Sequence, residues 1–375
     1  MRRVLPGVLL MTASFVMGDD ANITTRATLP FNDARIDYEN RELNVVLNDR
    51  INRAVELAQR FQSPRERLER VLQELDIPVE SQVLVFSKTS TNGKLVSPAN
   101  PRAIFFNDEM AVAWVPGGPS FELSIHDPIL GEVFATVPIA EKPTPGWKRQ
   151  SRCLQCHVAG ETHGVPGMLL KSVATDSSGK PIRSLFDNPD DAAWEHAWGG
   201  WYVSAERSSF STSARGLTLG SEPFDTNAYP LPGSDPVAIL VLQHQSRVLN
   251  LLTRYRYESL LGKRFDSEQS LVRALLCLDE TPFPVEVKRT PFAEAYETRK
   301  EPGETRRFGL RRLNLRDRLY ESGVSPLILS RTIRSYPWEL RKRLAGAIRE
   351  QLGGNRKQQR IEEAISWMES RERGE

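Results

Sequence analysis

The sequence predicts an α+β fold, a small antiparallel β meander joined to mainly α-helical regions. Three observations predict it. Apolar residues recur at helical spacing in residues 41–75 and again in 235–261. Between residues 81 and 140, short runs rich in β-branched and aromatic residues are separated by turn pairs. From residue 266 onward, apolar helical patterns are broken at Pro282/Pro284, Pro302-Gly303, Gly323, Pro337 and Gly353-Gly354, which gives about five helices.

In the first helical stretch, Leu43, Val46, Leu47, Ile51, Val55, Leu57 and Ala58 mark one stripe. A second helix starts at Ser63-Pro64-Arg65-Glu66. Ser63 caps, Pro64 suits the first turn, and Glu66 closes a capping box. Pro78 ends this unit. The strand runs are QVLVFS, RAIFFN, MAVAWVP, FELSIHD and EVFATVPI. Asn92-Gly93, Asn107-Asp108, Gly117-Gly118 and Leu130-Gly131 separate them, as hairpin turns would. Residues 141–234 read as loop-rich. A long helix follows over 235–261, with Asp235 as N-cap and Pro236 at the first helical position.

Residues 1–18 join Arg2 and Arg3 to an apolar stretch from Val4 to Met17, with small residues before Asp19. That is the pattern of a secretory signal peptide. The stretch is shorter than the roughly 20 residues of a membrane-spanning helix, and an uncleaved N-terminal membrane anchor is the alternative. Either way the expected location is periplasmic or otherwise exported. The organisation expected is a signal peptide (1–18), an N-terminal helical segment (19–80), a β meander with the cofactor region (81–262) and a C-terminal helical region (263–375).

Composition narrows the function classes. Hydrophobic residues at 39% and charged residues at 26% allow a core and exclude wholesale disorder. A formal charge of +2 gives no electrostatic case for nucleic acid. The basic residues are unevenly spread: residues 299–360 hold 17 Lys/Arg against 6 Asp/Glu. Such a run reads first as solvated helix faces. The other reading is a docking surface for an acidic redox partner or a membrane. No phosphate-cradling glycine loop, G-x-S-x-G or H-E-x-x-H occurs.

The three cysteines are too few for a disulfide scaffold. Two of them stand in Cys153-Leu154-Gln155-Cys156-His157, the C-x-x-C-H motif of c-type haem attachment. The chemistry needs this spacing: two thiols reach the two vinyl groups of one porphyrin, and the next histidine lies under the iron. His157 is then the proximal ligand, with its other ring nitrogen donating to a carbonyl. A structural zinc site would need a second Cys pair. A thioredoxin-like site would need a βαβ setting, and prolines and glycines flank this motif instead. A plain disulfide leaves His157 unexplained. The expected cofactor is therefore one covalently attached haem c. Cys277, in SLVRALLCLDE, reads as a small core residue.

A protein ligand at the sixth iron position favours electron transfer, and an open position admits substrate or gas. His244 is the leading distal candidate, because it sits amid the stripe Val237, Leu240, Val241, Val248, Leu251 and Tyr255. A core histidine satisfied by a hydrogen bond predicts the same position. Met168, 11 residues after His157, is the weaker distal candidate and reads also as core. His163 reads as a propionate or surface group. His126 reads as turn chemistry at a strand end. His196, beside Trp194, Trp198 and Trp201, reads as a haem wall or ordinary aromatic core.

With these residues in hand, the chain resembles a family of exported bacterial proteins with one C-x-x-C-H motif, described as cytochrome c domain-containing. The resemblance runs over roughly residues 80–345. It rests on PRAIFFND and AVAWVPGG (101–118), RQSRCLQCHVAGETHGVPGMLLKSV (149–173), WGGWYVS (198–204), FDTNAYPLPGSDPVAILVLQHQSRVLNLLTR (224–254) and LVRALLCLDE (271–280). It implies exported haem binding and no particular reaction. Members often carry a His-Met-Gly-Asn run after the WGGWYV-like segment, where this chain has SAERSSFSTSARGLTLG. They often carry a second histidine five residues after the one matching His244, where this chain has Leu249.

Two functions follow as expectations, besides an interaction module built on the basic region. The first is a monohaem c-type electron carrier. The second is a peroxidase-like haem enzyme with an open sixth position, in which His196 or Arg207 assists.

Overall fold

Near-continuous apolar runs build a sheet with two buried faces. The computed structural model describes residues 27–90, 92–139, 146–186, 197–204, 215–216, 223–299, 308–353 and 359–370. The signal-peptide segment, His196, Arg207 and the Pro302-Gly303 break lie outside the described residues. Five strands form the predicted antiparallel meander: β1 (Val83–Val85), β2 (Arg102–Phe106), β3 (Met110–Trp114), β4 (Ser120–Asp127) and β5 (Gly131–Pro138). Leu84, Phe105, Val112 and Leu123 enter one core, and Val83, Ile104 and Ala111 enter another. Successive residues point to opposite faces, so each strand feeds both cores.

The segment read as loop-rich contributes more. β6 (Lys148–Arg149) extends the sheet beyond β5. β7 (Ser172–Thr175) and β8 (Pro181–Phe186) form a separate hairpin. β9 (Trp201–Val203) pairs antiparallel with β1, and β10 (Arg215–Gly216) runs parallel to β9. The sheet order is β10-β9-β1-β2-β3-β4-β5-β6. Strands of two or three residues carry no periodic signal, which is why the sequence did not reveal them.

Helices α1 (Val45–Ala58) and α2 (Pro64–Glu74) cover the first face. Asn44 caps α1, and Glu66 accepts from the Ser63 N–H at 3.3 Å, as the capping box requires. Val46 departs from the predicted stripe: it is 53% exposed, and Ala54 takes the inward position. Trp198 and Trp201 lie 6.3 Å apart, edge to face, in the second core.

The long helix α4 (Pro236–Leu260) follows a short turn, α3 (Leu154–His157). Asp235 caps α4 through Val237 and Ala238 as expected. Twenty of its 25 residues are buried. Val237 to Leu242 cover the second face of the sheet. Val248 to Tyr255 belong to a third core, shared with the C-terminal helices. Those are α5 (Glu268–Leu275), α7 (Arg331–Arg334), α8 (Trp338–Leu352) and α9 (Gln359–Glu369), while α6 (Pro291–Thr298) packs Phe292, Ala293 and Tyr296 into the second core. Among the described residues, no helix is long and apolar enough to cross a membrane.

Part of the basic segment is not solvated. Arg311 pairs with Asp108, and Arg299 meets Asp76 at 3.2 Å. Arg349 pairs with Glu362 at 2.8 Å and Glu369 at 2.6 Å. Arg341 is fully buried and donates to the Arg334 and Tyr336 carbonyls at 2.9 and 2.7 Å. These cations tie the C-terminal helices to one another and to the β2–β3 turn.

Candidate functional site

The C-x-x-C-H segment leaves the sheet edge as one continuous helical turn, a 3-10 turn over Ser151–Cys153 running into α3. Its entry is fixed. The Gln150 N–H donates to the Phe134 carbonyl at 2.8 Å, and its amide donates to Thr136 Oγ1 at 2.9 Å. Arg149 donates to the carbonyls of Tyr38 and, at 2.9 Å, Arg41. Cys153 is half-buried and Cys156 exposed, and neither forms a disulfide.

The exit fixes the histidine. His157 Nδ1 is 2.9 Å from the Gly167 carbonyl. A carbonyl only accepts, so Nδ1 carries the proton and Nε2 keeps its lone pair. The Gly167 N–H donates back to the His157 carbonyl at 3.0 Å. The ring lies 4.3 Å from Phe134. Burial holds its pKa below the usual imidazole range, against the opposing pull of the Gly167 carbonyl. A neutral imidazole with Nδ1–H tethered to a carbonyl is the form a metal-ligating histidine takes.

Helix α4 holds this loop from behind. Asn250 Oδ1 accepts from Met168 N at 2.9 Å, and its amide donates to Met168 O at 2.8 Å. Arg254 donates to the His163 carbonyl at 3.0 Å and to the Ala27 carbonyl. A Cβ on Gly167 would stand 2.8 Å from Asn250 Cγ, so this approach needs glycine. Gly167→Ala is expected to cost about 1–3 kcal/mol by overpacking. Urea unfolding would show it, and an unchanged midpoint would refute the tight fit.

The two distal candidates make other contacts. Met168 is half-buried, packs on the second core and sets its Sδ 3.8 Å from Ser246 Oγ. His244 and Ser246 are roughly 200° apart around the helix. His244 Nδ1 is 2.7 Å from Glu280 Oε1 and Nε2 is 2.8 Å from Ser325 Oγ. Both ring nitrogens are engaged, so ligation of iron would require breaking one of these bonds. The stripe located His244 in the core correctly but did not say which neighbour it meets.

His244 belongs instead with Cys277 and Glu280. Their ligand atoms lie within 4.8 Å of one another, a grouping that can hold a metal ion. Cys277 is half-buried and packs against the second core, as a small core residue would. Beside it, Arg247 and Arg273 hold Asp279 at 3.0 and 2.8 Å.

One site histidine was misread. His126 lies inside β4, 3% exposed, with Nδ1 3.0 Å from Glu132 Oε1. Glu132 Oε2 accepts from Ser124 Oγ at 2.6 Å. His126 Nε2 is buried with no hydrogen-bond partner among the described residues. His126 faces Glu132, and Ser124 faces Phe134, on one side of the β4–β5 hairpin. That is the side on which Phe134 meets His157. Hairpin register about Asp127–Gly131 is the sequence signal that aligns Ser124, His126, Glu132 and Phe134.

Compared with known proteins, the chain matches no family model, no curated protein and no solved structure.

The donor set fits a covalent haem. Two unpaired thiols lie one turn apart, and the following imidazole has Nε2 available. Arg102, whose charge reaches Cys153 and His157, has a buried Nε without a hydrogen-bond partner among the described residues. Its Nη2 pairs with Glu122 at 2.6 Å. A guanidinium with donors to spare suits a propionate.

Proposed function

We propose that this chain is an exported c-type haem protein with an exchangeable sixth iron position, suited to peroxidase-like chemistry. The resemblance to cytochrome c domain-containing proteins supports the haem. The observation that carries the open position is His244, whose two ring nitrogens are committed to Glu280 and Ser325. Cys153 and Cys156 would hold the porphyrin as thioethers, and His157 Nε2 would face the iron. Bound there, a haem supplies an iron that accepts peroxide or a diatomic ligand and changes oxidation state.

The protein's part is proton handling and orientation. His126, whose buried Nε2 has no hydrogen-bond partner among the described residues, would be this chain's proton acceptor, on the same side of the β4–β5 hairpin as His157. Glu132 accepts from Nδ1–H and stabilises the imidazolium that forms. Ser124 donates to Glu132 and fixes its rotamer. Gly167 and Asn250 keep the His157 ring in one orientation.

Absorption spectra of the purified protein, oxidised and reduced, test the reading. A high-spin spectrum that responds at once to carbon monoxide and is unchanged in His244→Ala is expected. Peroxide-dependent dye oxidation is expected to fall about 100-fold or more in His126→Ala. A low-spin spectrum that turns high-spin in His244→Ala or Met168→Ala overturns it and restores the electron carrier.

A further inference from the structure

The turn after α5 ends in a way that costs stability. The Leu278 N–H donates to the Arg273 carbonyl at 2.9 Å and the Cys277 N–H to the Ala274 carbonyl at 3.1 Å. This is a Schellman motif, with Cys277 at the left-handed position that usually holds glycine. Cys277 has φ 49°. A side chain there costs on the order of 1 kcal/mol relative to glycine. Its thiol meets His244, from the middle of α4, and Glu280, three residues on.

We infer that His244 Nδ1, Cys277 Sγ and a Glu280 carboxylate oxygen form a binding site for a divalent metal ion of the zinc class. The donors are one nitrogen, one sulfur and one oxygen. That set suits zinc and disfavours calcium and magnesium, which take oxygen. Thiolate and carboxylate together neutralise the ion. Three protein ligands leave the fourth tetrahedral position to water, and Glu280 and Cys277 are only half-buried, so water reaches it.

The surroundings serve the ion as well as the metal-free state. Without metal, Nδ1–H donates to Glu280 and Nε2 accepts from the Ser325 hydroxyl. With metal, Nδ1 gives up its proton, Nε2–H donates, and Ser325 Oγ accepts. A hydroxyl does either, so the ring need not turn. The 2.7 Å separation of Nδ1 and Oε1 must open to about 3.3 Å, the ligand spacing of a tetrahedral zinc site. Ser325 is anchored to the end of α5, its N–H donating to the Leu275 carbonyl at 2.8 Å. Arg247 and Arg273 occupy Asp279, so the neighbouring carboxylate does not compete.

This inference stands apart from the haem. The test uses the full chain with Cys153 and Cys156 replaced by serine, so that free C-x-x-C-H thiols hold no zinc. The protein is stripped with chelator and reloaded with Zn2+ alone. The expected result is about one zinc per chain, with one sulfur at about 2.3 Å and nitrogen or oxygen at about 2.0–2.1 Å by zinc-edge X-ray absorption. In the same background, Cys277→Gly relieves the backbone and keeps the fold. It is expected to weaken zinc binding at least tenfold and abolish the zinc-dependent rise in Tm. Absence of bound zinc, a coordination shell without sulfur, or an unchanged affinity in Cys277→Gly overturns the inference.

Discussion

Replacing Cys153 and Cys156 together with serine is expected to abolish covalent haem entirely. Produced with a working c-type maturation system, the wild-type protein should be coloured and keep its haem on a denaturing gel. The double variant should lose both colour and stain. A hydroxyl does not replace a thiolate as nucleophile toward a vinyl group, and loss of both thioethers leaves only the weak axial bond from His157. The substitutions spare the fold, since Cys156 is exposed and Cys153 half-buried. They should shift stability by no more than about 0.5 kcal/mol each, as surface changes do. Comparing variant and wild type, both made without haem, by urea unfolding separates attachment from folding. A colourless wild-type protein, or a double variant that retains haem through denaturation, refutes the site.

Arg254→Ala is expected to be the most destabilising single change near the loop. Arg254 is 3% exposed and pairs with Glu258, 1% exposed, at 2.9 Å. It also satisfies the carbonyls of Ala27 and His163, which lie in the N-terminal segment and the loop after the C-x-x-C-H turn. Ser267 gives Glu258 two further donors, at 3.2 and 2.7 Å, so its charge is stabilised only in part once the arginine is gone. Breaking one side of a buried pair costs about 3–5 kcal/mol. Urea unfolding would read that loss, and the variant should attach haem less completely because the 163–168 loop is released. A midpoint within experimental error of the wild type would show that Arg254 does not carry the loop.

The meander, the two N-terminal helices and α4 were legible because each has a period or a cap. Asp235-Pro236 and Ser63-Pro64-Arg65-Glu66 mark helix starts through local hydrogen bonds, which depend on neighbours in sequence. The direction of His244 was not legible. An apolar stripe points to one partner only when the opposite face meets water. Here Ser246, Asn250 and Arg254 are buried on another side of the same helix and face the 163–168 loop. His126 was misread for a related reason: its closing position in a strand run hid its pairing with Glu132 on the next strand. The basic segment was legible only in part, because sequence counts charges and not their partners: Arg312, Arg316, Arg318, Lys342 and Arg343 are exposed as solvated faces predict. Arg311 and Arg341 are bound at separations of 203 residues and 5 residues respectively.

The sequence by itself determined the thiol–thiol–imidazole cluster of residues 153–157, because five consecutive residues on one helical turn carry their own geometry. It also determined the alternating strands and capped helices, whose causes lie within a few residues. Only the tertiary structure decided which histidines meet which partners. His157 takes Gly167, His126 takes Glu132, and His244 takes Glu280 and Ser325. The last pairing spans 81 residues and depends on how α4 rotates between two cores that both bury it. That rotation is set by the total packing of both, and no local pattern along the chain encodes it.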